Sequence, residues 1–156
     1  MILIERPGRS PLEIEFLLLN FEGTLANDRR VHPKAKDKLH LLSKRTKIYI
    51  FSKTAEAVVS QALRKVPAEV IYLKEGEATL KKLHLIEQLG ENRVAAFGNG
   101  ADDVPMIEKA ALGIAVLSQE GTVAEVMSRA DLVVMNILDG LDFLLKPLRQ
   151  KTTLGT

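Results

Sequence analysis

The 156-residue chain predicts an α/β fold in which a parallel sheet carries helices on both faces. Three observations point there. Short, wholly apolar runs recur along the chain, as strands buried on both faces require. Helical periodicities separate those runs, so strand and helix alternate, and strands joined through a helix lie parallel. Hydrophobic residues make up 46% of the chain and aromatics only 4%, so Leu, Ile and Val build the core, as they do in a buried parallel sheet.

The chain opens with a predicted hairpin. Met1 to Glu5 and Pro11 to Glu15 flank Arg6-Pro7-Gly8-Arg9-Ser10, which has the Pro-Gly punctuation of a turn. Leu12-Glu13-Ile14-Glu15-Phe16 alternates apolar and acidic residues before Leu17-Leu18-Leu19 turns fully apolar, so the chain passes from a solvated edge into the core. Residues 26–31 are polar and read as an exposed segment. His32-Pro33 opens a helix with Ala35, Leu39 and Leu42 as its apolar stripe. Ile48 to Phe51 forms the next strand, and the helix after it, from about Thr54, carries Val58, Val59, Ala62, Leu63 and Val66 and stops at Pro67.

Val70 to Leu73 is a third strand, followed by a helix from about Ala78 to Leu89 that ends at Gly90, a suitable C-cap. Val94 to Phe97 is a fourth, after which Asp102 or Asp103 caps a helix through Met106, Ile107 and Ala110. A strand at Gly113 to Leu117, a short helix after Gly121-Thr122, a strand at Leu132 to Met135 and a closing helix across Leu138, Leu141, Leu144, Leu145 and Leu148 complete the pattern. A single domain over residues 1–150 is expected, with 151–156 as a frayed tail.

Composition excludes several classes. With 22 Lys+Arg against 20 Asp+Glu, the net charge of +2 is too mild to imply a nucleic-acid or acidic partner. Without cysteine there is no disulfide framework and no thiolate metal site, which suits a reducing cytoplasm. No apolar run approaches membrane-spanning length, and the first residues turn polar at Glu5-Arg6 without a signal-peptide pattern. A cytoplasmic protein with no membrane partner is the expectation.

Three of the strands end in polar clusters: Asn20, Glu22 and Thr24 after the first strand of the sheet, Ser52 and Lys53 after the second, and Asn99, Asp102 and Asp103 after the fourth. A lysine, Lys81 or Lys82, opens a nearby helix. Carboxyl ends of parallel strands share one edge, so these groups can share a crevice. Amide and backbone carbonyls with an aspartate suit a hard ion such as Mg²⁺. A hydroxyl, a lysine and backbone amides suit phosphate.

In this order the clusters resemble the four motifs of the haloacid dehalogenase (HAD) superfamily. Asn20-Phe21-Glu22-Gly23-Thr24-Leu25 is similar to the Asp-x-Asp-Gly-Thr-Leu of motif I, Ser52 matches the Ser/Thr motif, and Lys82 to Leu89 resembles the lysine-led helix of motif III. Phe97-Gly98-Asn99-Gly100-Ala101-Asp102-Asp103-Val104-Pro105 is similar to the Gly-Asp-Gly-x-Asn-Asp-x-Pro stretch of P-type ATPases. The nearest relatives by these motifs are soluble, P-type-ATPase-like members, over roughly residues 13–135.

The resemblance implies a three-layer Rossmann-like fold, Mg²⁺-dependent phosphohydrolase (phosphatase) chemistry, and roles residue by residue. Asn20 stands at the nucleophile, Glu22 at the general acid/base with its backbone carbonyl toward the metal, and Thr24, Ser52, Lys53 and Lys82 at the phosphate. Asn20, Glu22, Asn99 and Asp103 stand at the metal, with Asp102 left as an alternative to Asn99. Helix register favours Lys82 over Lys81 as the catalytic lysine.

Two departures bear on activity. Asn20 is an amide where the family's mechanism needs a nucleophilic carboxylate, and Glu22 is one methylene longer than the family's Asp. The implied activity is therefore weakened or absent, and the alternative is a pseudoenzyme that binds a phosphate ligand or a protein. Residues 26–47 and 53–81 are already filled by the chain's own elements and leave no room for an inserted cap. An open site of this kind fits a phosphorylated small molecule or a phosphoprotein, and a homo-oligomer is expected, with the N-terminal hairpin as an interface element.

Overall fold

The computed structural model describes residues 1–155. Its strands in chain order are β1 (Ile2–Ile4), β2 (Leu12–Ile14), β3 (Phe16–Asn20), β4 (Ala26–Asn27), β5 (Arg30–Val31), β6 (Lys47–Ser52), β7 (Glu69–Tyr72), β8 (Val94–Gly98), β9 (Leu112–Val116) and β10 (Leu132–Val134). The helices are α1 (Pro33–Ser43), α2 (Glu56–Ala62), α3 (Ala78–Leu89), α4 (Val104–Lys109), α5 (Ala124–Arg129), α6 (Ile137–Leu145) and α7 (Pro147–Leu154).

Six strands form one sheet in the order β10-β9-β8-β3-β6-β7, and every pair in it is parallel. The apolar run expected to be central is central: β3 lies between β8 and β6. Its alternate residues serve two cores. Leu17 and Leu19 share one with Leu39 and Leu42 of α1 and with Leu141 and Leu144 of α6. Leu18 shares the other with Ile86 of α3 and with Met106 and Ile107 of α4. A strand buried on both faces has no polar alternation to show, which is why it reads as a continuous apolar run.

Register sets the site. Asn20 lies opposite Phe51 on β6, and Leu19 lies opposite Phe97 on β8. The carboxyl ends of β3, β6 and β8 therefore finish at one level, and the polar residues that follow them meet.

The N-terminal hairpin forms as expected, with Ile2 opposite Ile14 and Ile4 opposite Leu12. These four side chains join the α1 and α6 core. The hairpin's alternate face leaves Leu3 exposed. Its inward apolar side chains are thus spent within the chain.

Three expectations need correction. Residues 26–31 are not simply an exposed segment: β4 pairs with β5, and Ala26 is fully buried. The turn between them places Asp28 and Arg29 at φ of 49° and 65°, the left-handed pair that a two-residue hairpin turn demands. No glycine announces it. The closing helix is two helices, because the residue before a proline is driven out of helical geometry and proline has no N–H to donate. Lys146 is accordingly extended at φ −120° and ψ 97°, and α7 begins at Pro147.

The third correction concerns the tail: residues 151–154, expected to fray, continue α7 to Leu154. Gln150 anchors this helix, since its buried side-chain amide donates to the carbonyls of Phe143 at 2.8 Å and Leu144 at 3.3 Å. Those are orphan acceptors at the end of α6. Thr156 lies outside the described residues.

Candidate active site

At the end of β3 the chain turns sharply. Leu25 N–H bonds back to the Asn20 carbonyl and Ala26 N–H to that of Phe21. Gly23 sits at φ 75°, and a Cβ there would lie 2.4 Å from Nδ2 of Asn99. Only glycine meets both demands. The turn presents the Asn20 side chain to Lys82, whose Nζ donates to Asn20 Oδ1 at 3.1 Å. Because lysine only donates, this bond fixes the amide's orientation. Asn20 Nδ2 then donates to the backbone carbonyl of Glu22 at 2.7 Å.

Lys82 is the buried centre of the site, 1% exposed on α3, while Lys81 lies on that helix's outer face and pairs with Glu77. Its second partner is Asp103, whose Oδ1 accepts from Nζ at 2.8 Å and which has no exposure at all. Asp103 Oδ2 accepts from the N–H groups of Asn99 and Gly100, each at 3.0 Å. Gly98 makes this tuck feasible, since a Cβ there would lie 2.6 Å from the Asp103 side chain.

Asn99 is equally engaged. Its Oδ1 accepts from the Thr24 hydroxyl at 2.8 Å and its Nδ2 donates to the Gly121 carbonyl at 3.0 Å. Asn99-Gly100 is a sequence prone to deamidation, because glycine does not shield the backbone nitrogen that must attack the side-chain carbon. Here that nitrogen is committed to Asp103 and the amide is held at both ends. Intact-mass measurement after long incubation at mildly alkaline pH is expected to show at most a minor acid form at Asn99. Extensive conversion there would mean that the loop opens freely.

Glu22 reaches across to the end of β6. Its Oε1 accepts from Ser52 Oγ at 3.2 Å, from Thr54 N–H at 3.1 Å, from Thr54 Oγ1 at 3.4 Å and from the Lys53 N–H. Its Oε2 is buried and has no partner. At the mouth Lys53 pairs with Asp102, which also accepts from Thr79 Oγ1 at 3.3 Å. The bond from Lys53 holds the Asp102 carboxyl below the ordinary carboxylate range.

These groups surround a cavity of about 230 Å³, lined by Asn20, Glu22, Lys53, Lys82, Asn99, Asp102 and Asp103. Thr24 and Ser52 stand behind it, their hydroxyls spent on Asn99 and Glu22. Sequence reasoning passed over Thr54 and Thr79. Thr54 follows Ser52-Lys53 directly, a legible signal, whereas Thr79 is brought to Asp102 only by tertiary packing. A larger concavity lies elsewhere, by Arg93 and Lys109, but both cations are paired, with Glu15 and Glu87.

A family model of haloacid dehalogenase-like hydrolases matches residues 77–136. An uncharacterized protein of Methanocaldococcus jannaschii is 36% identical over 84 residues, covering 51% of this chain and 90% of that protein. Among solved structures, the 3-deoxy-D-manno-octulosonate 8-phosphate phosphatase of Moraxella catarrhalis, in complex with magnesium, phosphate and its sugar acid, superposes with a TM-score of 0.70 at 15% identity, over 86% of this chain and 87% of that one. The cobalt-bound deoxy-D-mannose-octulosonate 8-phosphate phosphatase of Haemophilus influenzae gives 0.71 at 15% identity, over 91% and 92%. The chain belongs to the haloacid dehalogenase superfamily. Consistent with the capless members, only the β4–β5 hairpin and α1 separate β3 from β6, and no domain is inserted between β6 and Lys82 among the described residues.

As a haloacid dehalogenase superfamily member the chain implies Mg²⁺, so the fit of its donors to that ion matters. Of the four residues assigned to the metal, Asp103 is the one assigned by its carboxylate, Glu22 being placed there by its backbone carbonyl, and Lys82 and two backbone N–H groups occupy the Asp103 oxygens. Asn20 points an N–H, not a lone pair, at the Glu22 carbonyl that a metal would share with side chain 20. Hard dications are held by carboxylates and carbonyls, and here the Asp103 charge is offset by Lys82 while the Glu22 carboxylate is turned to the end of β6. With an amide at position 20 and Asp103 engaged by Lys82, the four assigned residues make a weak set for a resident Mg²⁺. Among the described residues, no group of three or more His, Cys, Asp or Glu side chains is placed to hold a metal ion.

Proposed function

We propose that this protein is a haloacid dehalogenase-fold module that binds a phosphoryl group at the shared ends of β3, β6 and β8 without hydrolysing it. The observation that carries the reading is the Asn20 amide, held between Lys82 and the Glu22 carbonyl. Covalent phosphoryl transfer needs a carboxylate at that place, since an amide oxygen is a poor nucleophile and carries no charge. The binding half of the machinery is intact. Ser52, the Lys53 and Thr54 amides and the Thr54 hydroxyl converge on one carboxylate oxygen, the donor set a phosphoryl oxygen requires. Lys53 and Lys82 line the same cavity, each paired with an aspartate, Asp102 and Asp103.

A cavity of about 230 Å³ accommodates a phosphoryl group and a small part of what it is attached to, so the remainder of a larger ligand stays outside an open mouth. A phosphorylated small molecule fits this, as the two phosphatases above act on sugar-acid phosphates, and a phosphoprotein fits it too.

Two measurements test the reading: calorimetric titration with inorganic phosphate, and release of phosphate from an aryl phosphate with and without Mg²⁺. Phosphate is expected to bind, the ester to persist, and Mg²⁺ to change neither. Mg²⁺-dependent turnover by the wild-type chain, or no phosphate binding by folded protein, would overturn it.

A further inference from the structure

We propose that the Glu22 carboxylate is an internal anion seated in the phosphoryl site, and that it sets the ligand class by admitting dianionic phosphoryl groups and turning away monoanionic carboxylates. This rests on the phosphoryl-binding reading above.

The contacts of Glu22 are lopsided. Four donors from Ser52, Lys53 and Thr54 crowd onto Oε1, although a carboxylate oxygen has two lone pairs to offer. Oε2 is buried with no donor. A group with three oxygens spread tetrahedrally can share among them the donors that now press on one. The place therefore has more hydrogen-bonding capacity than a carboxylate uses, and Glu22 fills it imperfectly.

Leaving is a side-chain event. The Glu22 backbone is tied down by the Asn20 amide on its carbonyl and by its bridge to Ala26, so only rotation about the side-chain bonds is needed. The Glu22 side chain spans from this turn to the end of β6.

Tethering decides the competition. A carboxylate attached to the chain acts at high effective concentration, so a free monoanion offering the same charge and the same two oxygens does not displace it. A phosphoryl dianion adds an oxygen for the surplus donors, and its second charge meets Lys53 and Lys82, which Asp102 and Asp103 share with it. The expelled carboxylate regains water.

The test is titration of wild type, Glu22→Gln and Glu22→Ala with inorganic phosphate, each repeated in the presence of acetate, after thermal unfolding has shown all three to be folded. Both substitutions are expected to tighten phosphate binding by about tenfold or more, the value of one charge-assisted contact set removed from competition. Acetate is expected to compete with phosphate in Glu22→Ala, where it can occupy the vacated place, and not in wild type. If wild type binds phosphate and neither substitution tightens it, Glu22 is no competitor and this proposal falls while the phosphoryl-binding reading stands. If acetate competes equally in all three, the claimed selection is absent. If no folded variant binds phosphate, the reading of the site itself fails. Glu22→Gln keeps the shape of the side chain, so the question remains answerable should Glu22→Ala not fold.

Discussion

Lys82→Met is expected to cost about 3–5 kcal/mol of folding stability, the usual penalty for removing one partner of a buried ion pair. The reason is what remains. Asp103 has no solvent exposure, and without Lys82 its Oδ1 keeps a negative charge in the interior with no counter-charge and no donor; Oδ2 retains its two backbone amides. For a domain of this size such a loss lowers the melting temperature by roughly 10 °C. Two controls separate burial from charge count. Lys81→Met removes the neighbouring lysine, whose side chain is 48% exposed in a pair with Glu77, and is expected to change stability by no more than about 0.5 kcal/mol. Lys82→Met combined with Asp103→Asn removes both charges and is expected to be more stable than Lys82→Met alone. Denaturant unfolding of the three chains decides it, and a cost below about 1 kcal/mol for Lys82→Met would mean that the pair is not buried in solution.

That lysine also shows how far the sequence could be read. The long apolar run ending at Asn20 located the middle of the sheet, because a two-sided strand is the one element whose sequence is apolar throughout. Lys82 followed from helix register and the resemblance, since one lysine of the Lys81-Lys82 pair must face the apolar side of α3. The sequence could not show that Lys82 reaches two residues on two other strand ends, Asn20 and Asp103. Such bonds depend on strand order, and β8 lies beside β3 although 73 residues separate Asn20 from Val94.

The misses have separate causes. The β4–β5 hairpin turns on Asp28 and Arg29 rather than on Asn-Gly, so turn chemistry gave no cue. The break at Lys146-Pro147 was legible, but the leucine stripe outweighed it, and Leu148, counted in that stripe, is in fact 78% exposed. Thr24 is assigned to phosphate by its position in motif I, and what motif position does not convey is that its hydroxyl donates to Asn99. The donors around Glu22 were each noticeable as polar residues after a strand. Only the structure puts them on one oxygen of a side chain from another strand's end.

Asn20→Asp is expected to create activity: Mg²⁺-dependent release of phosphate from an aryl phosphate, on the order of a hundredfold or more above the wild-type background. The substitution changes one group and two interactions. It supplies a nucleophilic carboxylate. It places a negative charge beside Lys82, whose Nζ is 3.1 Å from the oxygen at that position. It also removes the N–H that now occupies the Glu22 carbonyl, which leaves that oxygen, the new carboxylate and Asp103 as donors of the kind a hard cation selects. Turnover should still be slow, because the second methylene of Glu22 displaces a proton donor by about an ångström, which can cost on the order of a hundredfold. Adding Glu22→Asp to Asn20→Asp is therefore expected to raise the rate again, and adding Asp103→Ala to abolish it. Phosphate release by Asn20→Asp that does not depend on Mg²⁺ would show that the charge balance described here does not govern metal binding. Silence from Asn20→Asp, alone and with Glu22→Asp, in chains that remain folded and bind phosphate would show that more than this amide separates the pocket from catalysis.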